Sequence, residues 1–248
     1  RVLVIDIDPQ MNASQYMLSP QKIEEAVKNQ KTLYSFYKDD VDIDLFSMNI
    51  IGDSKILNKK GLIINGIRPN LDLICGDLNM TKVKDDGSNS DTLAAYIDSD
   101  CLKEKYDFIF IDCPPTQSVY TTSAFKASDF YVLVIKPDYL STIGLSLFLK
   151  LVNNYNKNRK TQEKIKCLGI VANLTQKTSD NYHDNKIKDI EEKFKFVCSV
   201  FENKIGNISA IAKASEHQRF MNETPGAKRA IKKLANEFLN SYETEVKK

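Results

Sequence analysis

The sequence predicts an α/β protein: a mostly parallel sheet with helices on both faces. Three observations carry that expectation. Short apolar runs recur at residues 2–7, 71–75, 108–112, 131–135, 168–172 and 196–201. They are rich in Val, Ile, Leu and Phe and show little alternation, which is how strands read when both faces are covered. Longer segments of helical periodicity separate them, at residues 90–104, 116–127, 142–156 and 181–195. That alternation implies βαβ units joined by right-handed crossovers.

The elements follow in order. RVLVIDIDPQMNAS is an apolar strand that runs into Asp6, Asp8 and a proline. Residues 19–70 are less regular: KTLYSFYKDD reads as a short helix and ILNKKGLIINGIRPN as strand or loop pieces. Residues 82–90, KVKDDGSNS, read as an exposed polar loop. YDFIFIDCPP is a second apolar strand closed by a carboxylate, Asp112, and two prolines. PGAKRAIKKLANEFLNSYE is a C-terminal helix, with Pro225 and Gly226 at its start and Ile231, Leu234, Ala235 and Phe238 forming one stripe. Lys228, Arg229, Lys232 and Lys233 fall on a neighbouring face. No internal repeat or linker-like stretch interrupts the chain, so one domain over residues 1–248 is expected.

Composition narrows the class. Apolar residues make up 42 % of the 248 and charged residues 27 %, values of a chain with a sizeable core. Lys and Arg number 35 against 33 Asp and Glu, so any basic surface has to be local. The five cysteines, Cys75, Cys101, Cys113, Cys167 and Cys198, are odd in number and form no C-x-x-C, which fits a reduced cytoplasmic protein with buried thiols. His183 and His217 lie in polar stretches and read as surface residues, and no Cys/His cluster offers a zinc site. No apolar stretch reaches transmembrane length.

The chemistry concentrates at strand ends. In parallel α/β sheets, ligands bind beyond the carboxyl ends of the strands. Asp6, Asp8 and Asp112 all fall there. One such Asp is most simply a cap for the next helix or turn. Acids ending two strands, each followed by proline, point instead to a cation. Oxygen donors without His or Cys suit a hard ion such as Mg²⁺, which works alongside phosphates. DFIFIDCPP has the form of a Walker B strand, whose Asp holds Mg²⁺.

Taken together, these segments resemble the ParA/MinD family of deviant P-loop ATPases, most of all the Soj-like ParA partition proteins. VLVIDIDPQMNAS resembles the family's second strand and its D-x-D-P-Q-x-N motif. NLDLICGDLNM resembles a later strand, with Cys75 where a proline is usual, and LGIVANL resembles the strand whose terminal Asn contacts adenine. The longest match runs from YDFIFIDCPP to YLSTIGL. The resemblance implies a P-loop NTPase fold, ATP and Mg²⁺ as cofactors, and residue roles. Asp8 orients the attacking water. Asp112 holds Mg²⁺ through water, with Asp6 near the same shell. Pro114 and Pro115 open the switch loop, and Asn173 contacts the base. It also implies an ATP-dependent homodimer that binds DNA without sequence preference through Lys228, Arg229, Lys232, Lys233 and Arg219. A ParB-like partner would stimulate hydrolysis, and the setting would be the cytoplasm, at the nucleoid and away from membranes.

The sequence departs from the family pattern in three places. No G-x-x-x-x-G-K-[ST] occurs in the 248 residues, so the phosphate loop and the first βα unit are expected upstream of Arg1. Met11 stands where glycine is common. ENKIGNISAIAKASEHQRF lacks the family's late proline, and no nucleotide contact is assigned to it. Two other readings remain at this stage: a module without a phosphate loop that binds DNA or a partner without hydrolysis, and a MinD-like or protein-positioning ATPase. The terminal NSYETEVKK offers only Val246 as an aliphatic anchor, which disfavours a membrane helix. An iron-protein-type reductase would need a cysteine flanked by glycine to bridge a cluster, a setting Cys113 lacks, and a bacterial tyrosine kinase would carry a C-terminal tyrosine cluster, where only Tyr242 lies.

Overall fold

A computed structural model describes residues 1–37, 61–83, 89–157, 159–176 and 179–247. The expected continuation of KTLYSFYKDD beyond Tyr37 and the middle of the 82–90 loop lie outside those residues. The chain divides into two compact units, residues 1–127 and 128–248.

The first unit is built on a four-stranded sheet in the order β2-β3-β1-β4, where β1 is Val2–Asp6, β2 Ile63–Arg68, β3 Leu71–Ile74 and β4 Phe108–Asp112. β1 pairs in parallel with β3 on one side and β4 on the other. Leu3 and Ile5 point into one apolar cluster with Ile74, Leu93, Tyr96 and Ile97. Val4 points into a second, with Met11, Leu18 and Leu73. Both faces of β1 are therefore buried, which is why its sequence shows no polar alternation. β2 is an antiparallel edge strand with a register shift between Ile64 and Arg68. Gly66 sits in that shift at φ +71, a conformation without steric cost only for glycine.

The helices of this unit are α1 (Asn12–Met17), α2 (Pro20–Lys28), α3 (Tyr34–Tyr37), α4 (Thr92–Ser99), α5 (Leu102–Lys105) and α6 (Val119–Ala127). The single helix expected over residues 90–104 is two. Cys101, at φ 52, breaks it, and Leu102 is then fully buried at the start of α5. β4 ends the sheet: among the described residues no strand pairs along its outer edge, and Phe110 is 43 % exposed there.

The second unit holds a parallel pair, β5 (Phe130–Ile135) and β6 (Lys166–Ala172). Around it lie α7 (Tyr139–Asn156), α8 (Tyr182–Phe194), α9 (Ser209–Ser215) and α10 (Lys228–Val246). Asp138 caps α7 by accepting the Ser141 N–H at 2.8 Å, which starts the helix three residues before the sequence expectation. The strand expected over residues 196–201 does not form. Val200 makes one isolated bridge to Ile170, and Phe196 is 91 % exposed.

Two further expectations are corrected here. His183 is buried, and its Nδ1 accepts the Gln176 N–H at 2.9 Å, so it closes a loop and is not a surface residue. Cys167 and Cys198 are joined as a disulfide, with Cα atoms 5.7 Å apart, although the sequence read as all-thiol. They are 31 residues apart, and only the packing of residues 198–201 along β6 brings them together.

Arg1 and Asp72 tie the first unit together. Asp72 is 5 % exposed and accepts from Arg1 Nη2 (2.9 Å), Tyr106 Oη (2.9 Å) and Gly66 N (2.8 Å). Burial alone would raise its pKa, but these donors outweigh it and hold the carboxyl below the ordinary value. Its stabilising contribution is thus complete above the ordinary carboxylate pKa and is lost as pH falls through the depressed one. Asp72→Ala is expected to lower stability by about 2–3 kcal/mol at pH 7, and urea melts of variant and parent should converge in acid. In the second unit, a Cβ on Gly169 would lie 1.9 Å from the Phe201 ring. Gly169→Ala should cost about 1–3 kcal/mol, and thermal melts should show part of it restored by adding Phe201→Leu.

Candidate functional site

Register decides what the first unit can do. β1 and β4 run parallel with Asp6 opposite Asp112. The ladder continues one step, as Ile7 donates its N–H to the Asp112 carbonyl at 2.9 Å. Two acids that are 106 positions apart in sequence therefore end neighbouring strands at the same level, beyond which ligands bind in such sheets.

The chain then turns sharply. Asp8 Oδ1 accepts the Gln10 N–H at 2.9 Å, and the Asp8 carbonyl accepts the Met11 N–H at 2.9 Å. The second carboxylate oxygen of Asp8 takes part in neither bond, and the residue is half-buried. Met11 adopts φ 57, ψ 31 at the entry to α1, so the position where glycine is common in the resembling family does require the left-handed region. Its side chain is 3 % exposed and packs with Val4, Leu18 and Leu73.

The three acids differ in environment. Asp6 is fully buried, and desolvation pushes its carboxyl up to about 6, against the favourable bonds from Ser14 and with a smaller push from Asp112. Asp112 is exposed at the sheet end. Its carboxyl is also raised, first by the burial of its inner side and then by the charge of Asp8. Like charges facing one another in this way favour a cation between them. Among the described residues no group of three or more His, Cys, Asp or Glu is placed to hold a metal ion. The oxygens of Asp8 and Asp112 suit a hard ion that keeps most of its water, as Mg²⁺ does. Pro114 is buried and Pro115 exposed at the start of the loop after β4.

Ser14 and Gly76 are the residues that sequence reasoning missed. Ser14 is fully buried and donates its N–H to Asp6 Oδ2 at 2.7 Å, while its Oγ accepts the Gly76 N–H at 2.9 Å. Their only signal is position, eight residues after Asp6 for Ser14 and immediately after the strand at 71–75 for Gly76. Asp77, a further strand-end acid, shows the contrasting case. It accepts from Thr32 Oγ1 at 2.6 Å and Asn79 N at 2.8 Å, and so caps a turn.

In the second unit, Asn173 follows β6, and its N–H is donated to the Ile135 carbonyl at 2.7 Å. Its Oδ1 accepts the Leu174 N–H at 2.8 Å, which fixes the side chain beside the strand end. α10 is anchored on one side. The Glu237 carboxylate accepts N–H groups of Glu202 and Asn203, and Ser241 Oγ donates to the Leu168 carbonyl at 2.7 Å. Ile231, Leu234 and Phe238 are half-buried, whereas Ala235 is exposed. Lys228, Arg229, Lys232 and Lys233 are exposed, as is Arg219 on the segment before the helix. A cavity of about 670 Å³, lined in part by Tyr131, Lys150, Asn153 and Lys166, opens at the start of β6. It lies at the other end of that strand from Asn173.

The chain is similar to known proteins in sequence and fold. A family model described as an AAA domain matches residues 1–167. The chain is 30 % identical over 161 residues to the sporulation initiation inhibitor protein Soj of Bacillus subtilis, covering 65 % of this chain and 56 % of Soj. It is 31 % identical over 179 residues to an uncharacterized protein of Methanocaldococcus jannaschii, covering 71 % of this chain and 62 % of that one. The match thus spans less than two thirds of either curated relative. Among solved structures, a putative plasmid partition protein of Borrelia burgdorferi B31 bound to AMPPNP aligns with a TM-score of 0.65. That alignment covers 98 % of this chain and 86 % of that one at 20 % identity. Fold and family model together define a P-loop NTPase of the α/β class. Within that class, the chain belongs to the ParA/MinD-like P-loop ATPases.

The strained turn yields a prediction. Met11→Gly relieves about 1 kcal/mol of left-handed strain but removes a buried side chain worth about 2–5 kcal/mol. Burial outweighs strain, so a net loss of about 1–4 kcal/mol is expected. Urea denaturation measures it, and a gain in stability would mean that the turn is more strained than its packing can offset.

Proposed function

We propose that the complete protein is a ParA-like partition ATPase whose nucleotide cycle controls DNA attachment. The observation that carries this reading is the register of Asp6 with Asp112, beside the half-buried turn holding Asp8. Phosphoryl transfer needs a positioned water, a metal and fixed phosphate donors, with little covalent chemistry. Asp8 has one oxygen fixed by Gln10, so the other is held at a constant angle to orient water. Asp112 is the residue that would hold Mg²⁺, which when bound neutralises phosphate charge. The loop opened by Pro114 and Pro115 follows Asp112 directly and is suited to sense whether a γ-phosphate is present. In the second unit, Asn173 is assigned to the nucleotide base. Among the described residues no strand pairs along the outer edge of β4, where the strand of a phosphate-loop unit would fit. A K-G-G-x-G-K-[ST] in the preceding codons supports that assignment, and its absence from the gene contradicts it.

DNA attachment is assigned to Lys228, Arg229, Lys232 and Lys233 on α10, extended by Arg219. The four side chains on α10 are exposed on a helix anchored by other residues, and Arg219 is exposed on the segment before it, as phosphate contacts require. An ATP-dependent homodimer would double the contacts and strengthen weak individual binding. A ParB-like partner would then trigger hydrolysis and release. The proposed setting is the cytoplasm, at the nucleoid, and among the described residues no helix is long and apolar enough to cross a membrane.

Two experiments test the cycle. In the complete protein, Asp8→Ala should keep ATP-dependent dimerisation and lose hydrolysis by about 10²–10⁴-fold. Unchanged turnover would remove Asp8 from the mechanism. Lys228→Ala with Lys232→Ala should weaken DNA binding equally on unrelated sequences. The slope of log affinity against log salt should fall by roughly 0.9 per lysine, and an unchanged slope would make the helix purely structural.

A further inference from the structure

We infer that Asp6 is a positioning residue, which locks the Asp8 turn to β1 and β3 through Ser14 and Gly76, and that it is not a ligand of the magnesium ion. The inference rests on the reading of Asp8 and Asp112 above and revises the place given to Asp6 in it.

The Asp6 carboxylate closes a loop. Its Oδ2 accepts the N–H of Ser14, eight residues on, at 2.7 Å. Ser14 Oγ in turn accepts the N–H of Gly76, the second residue after β3, at 2.9 Å. The Asp6 and Ser14 side chains together therefore couple the end of β1, the first turn of α1 and the exit of β3. The other end of the loop is fixed where Ile7 joins the Asp112 carbonyl. Asp8 lies between these two fixed points, and its angle follows from them.

Packing around the carboxylate supports the same role. A Cβ on Gly76 would come within 3.1 Å of the Asp6 carbonyl oxygen and 3.2 Å of its Cγ, and 3.2 Å from Met11 Cγ. Any side chain here would therefore push on the Asp6 backbone and carboxylate by a few tenths of an ångström. Asp6 is fully buried, whereas Asp112, its register partner, is exposed and Asp8 is half-buried. A hydrated ion can approach the latter two from the sheet end, while Asp6 lies behind them with Oδ2 already occupied. Oδ1 of Asp6 is the one buried side-chain polar atom without a hydrogen-bond partner among the described residues. If Asp6 instead served the metal, that oxygen would have to carry the role.

The test separates the two roles. ATPase rates of the complete protein are measured against Mg²⁺ concentration for Ser14→Ala, Asp6→Asn and Asp112→Asn. Positioning predicts that Ser14→Ala lowers kcat by about tenfold or more, with half-saturating Mg²⁺ and KM for ATP within about twofold of the parent. Asp6→Asn, which keeps an acceptor for the Ser14 N–H, should also leave the Mg²⁺ requirement within about twofold, while Asp112→Asn raises it about tenfold. A Mg²⁺ requirement raised as far by Asp6→Asn as by Asp112→Asn overturns the inference, and so does an unchanged kcat in Ser14→Ala. A parent protein without ATPase activity would refute the functional reading and not the latch. Hydrogen exchange then decides the latch on the same proteins. Ser14→Ala should speed exchange of the amides in residues 7–14 by about tenfold or more while β1 and β4 stay protected. Unchanged protection of residues 7–14 contradicts it.

Discussion

The parallel pairing of β1 with β4 is the constraint on which the rest of the first unit depends. It brings Asp6 and Asp112 to one level, and it starts the Asp8 turn from a fixed carbonyl. Because side chains alternate across a strand, a one-residue slip would send both acids to opposite faces. The apolar clusters prevent that slip. Leu3 and Ile5 fill one core and Val4 the other, so a one-residue slip of β1 would turn all three to the wrong face. The site is thus a consequence of core packing, as the chemistry of strand-end carboxylates requires.

Buried charge is managed in different ways within a few residues. Asp72 is satisfied by three donors and favours its ionised form, which makes it a structural tie. Asp77 is used by a turn. Asp112 and Asp8 keep carboxylate surface facing the sheet end, where a cation and phosphates would meet them. Only this last pattern leaves binding capacity unspent. It is this difference in partners, more than the identity of the residues, that separates scaffold from site.

Much of this could be read from the sequence, for physical reasons. Unalternating apolar runs are a direct signature of doubly covered strands, so β1, β3, β4, β5 and β6 were placed within a residue or two. Asp6, Asp8 and Asp112 stood out because charges ending such runs demand an explanation. What failed to show depends on tertiary contacts. Cys101 breaks a helix whose periodicity is continuous across it. Residues 196–201 are apolar enough for a strand, yet only Val200 bridges β6 and Phe196 faces solvent. His183 has polar neighbours in sequence yet is buried in the fold, where it accepts the Gln176 N–H. The bond between Cys167 and Cys198, and the Ser14–Gly76 link, join segments 31 and 62 residues apart, which no local pattern encodes.

The proposed cycle depends on a magnesium-dependent nucleotide site built on Asp112. Its most direct test is calorimetric titration of the complete protein with AMPPNP, with and without Mg²⁺, compared with Asp112→Ala. Binding that requires Mg²⁺ and weakens by about tenfold or more in the variant is the predicted result. Equal affinity with and without the ion, or an affinity that Asp112→Ala leaves unchanged, would contradict it.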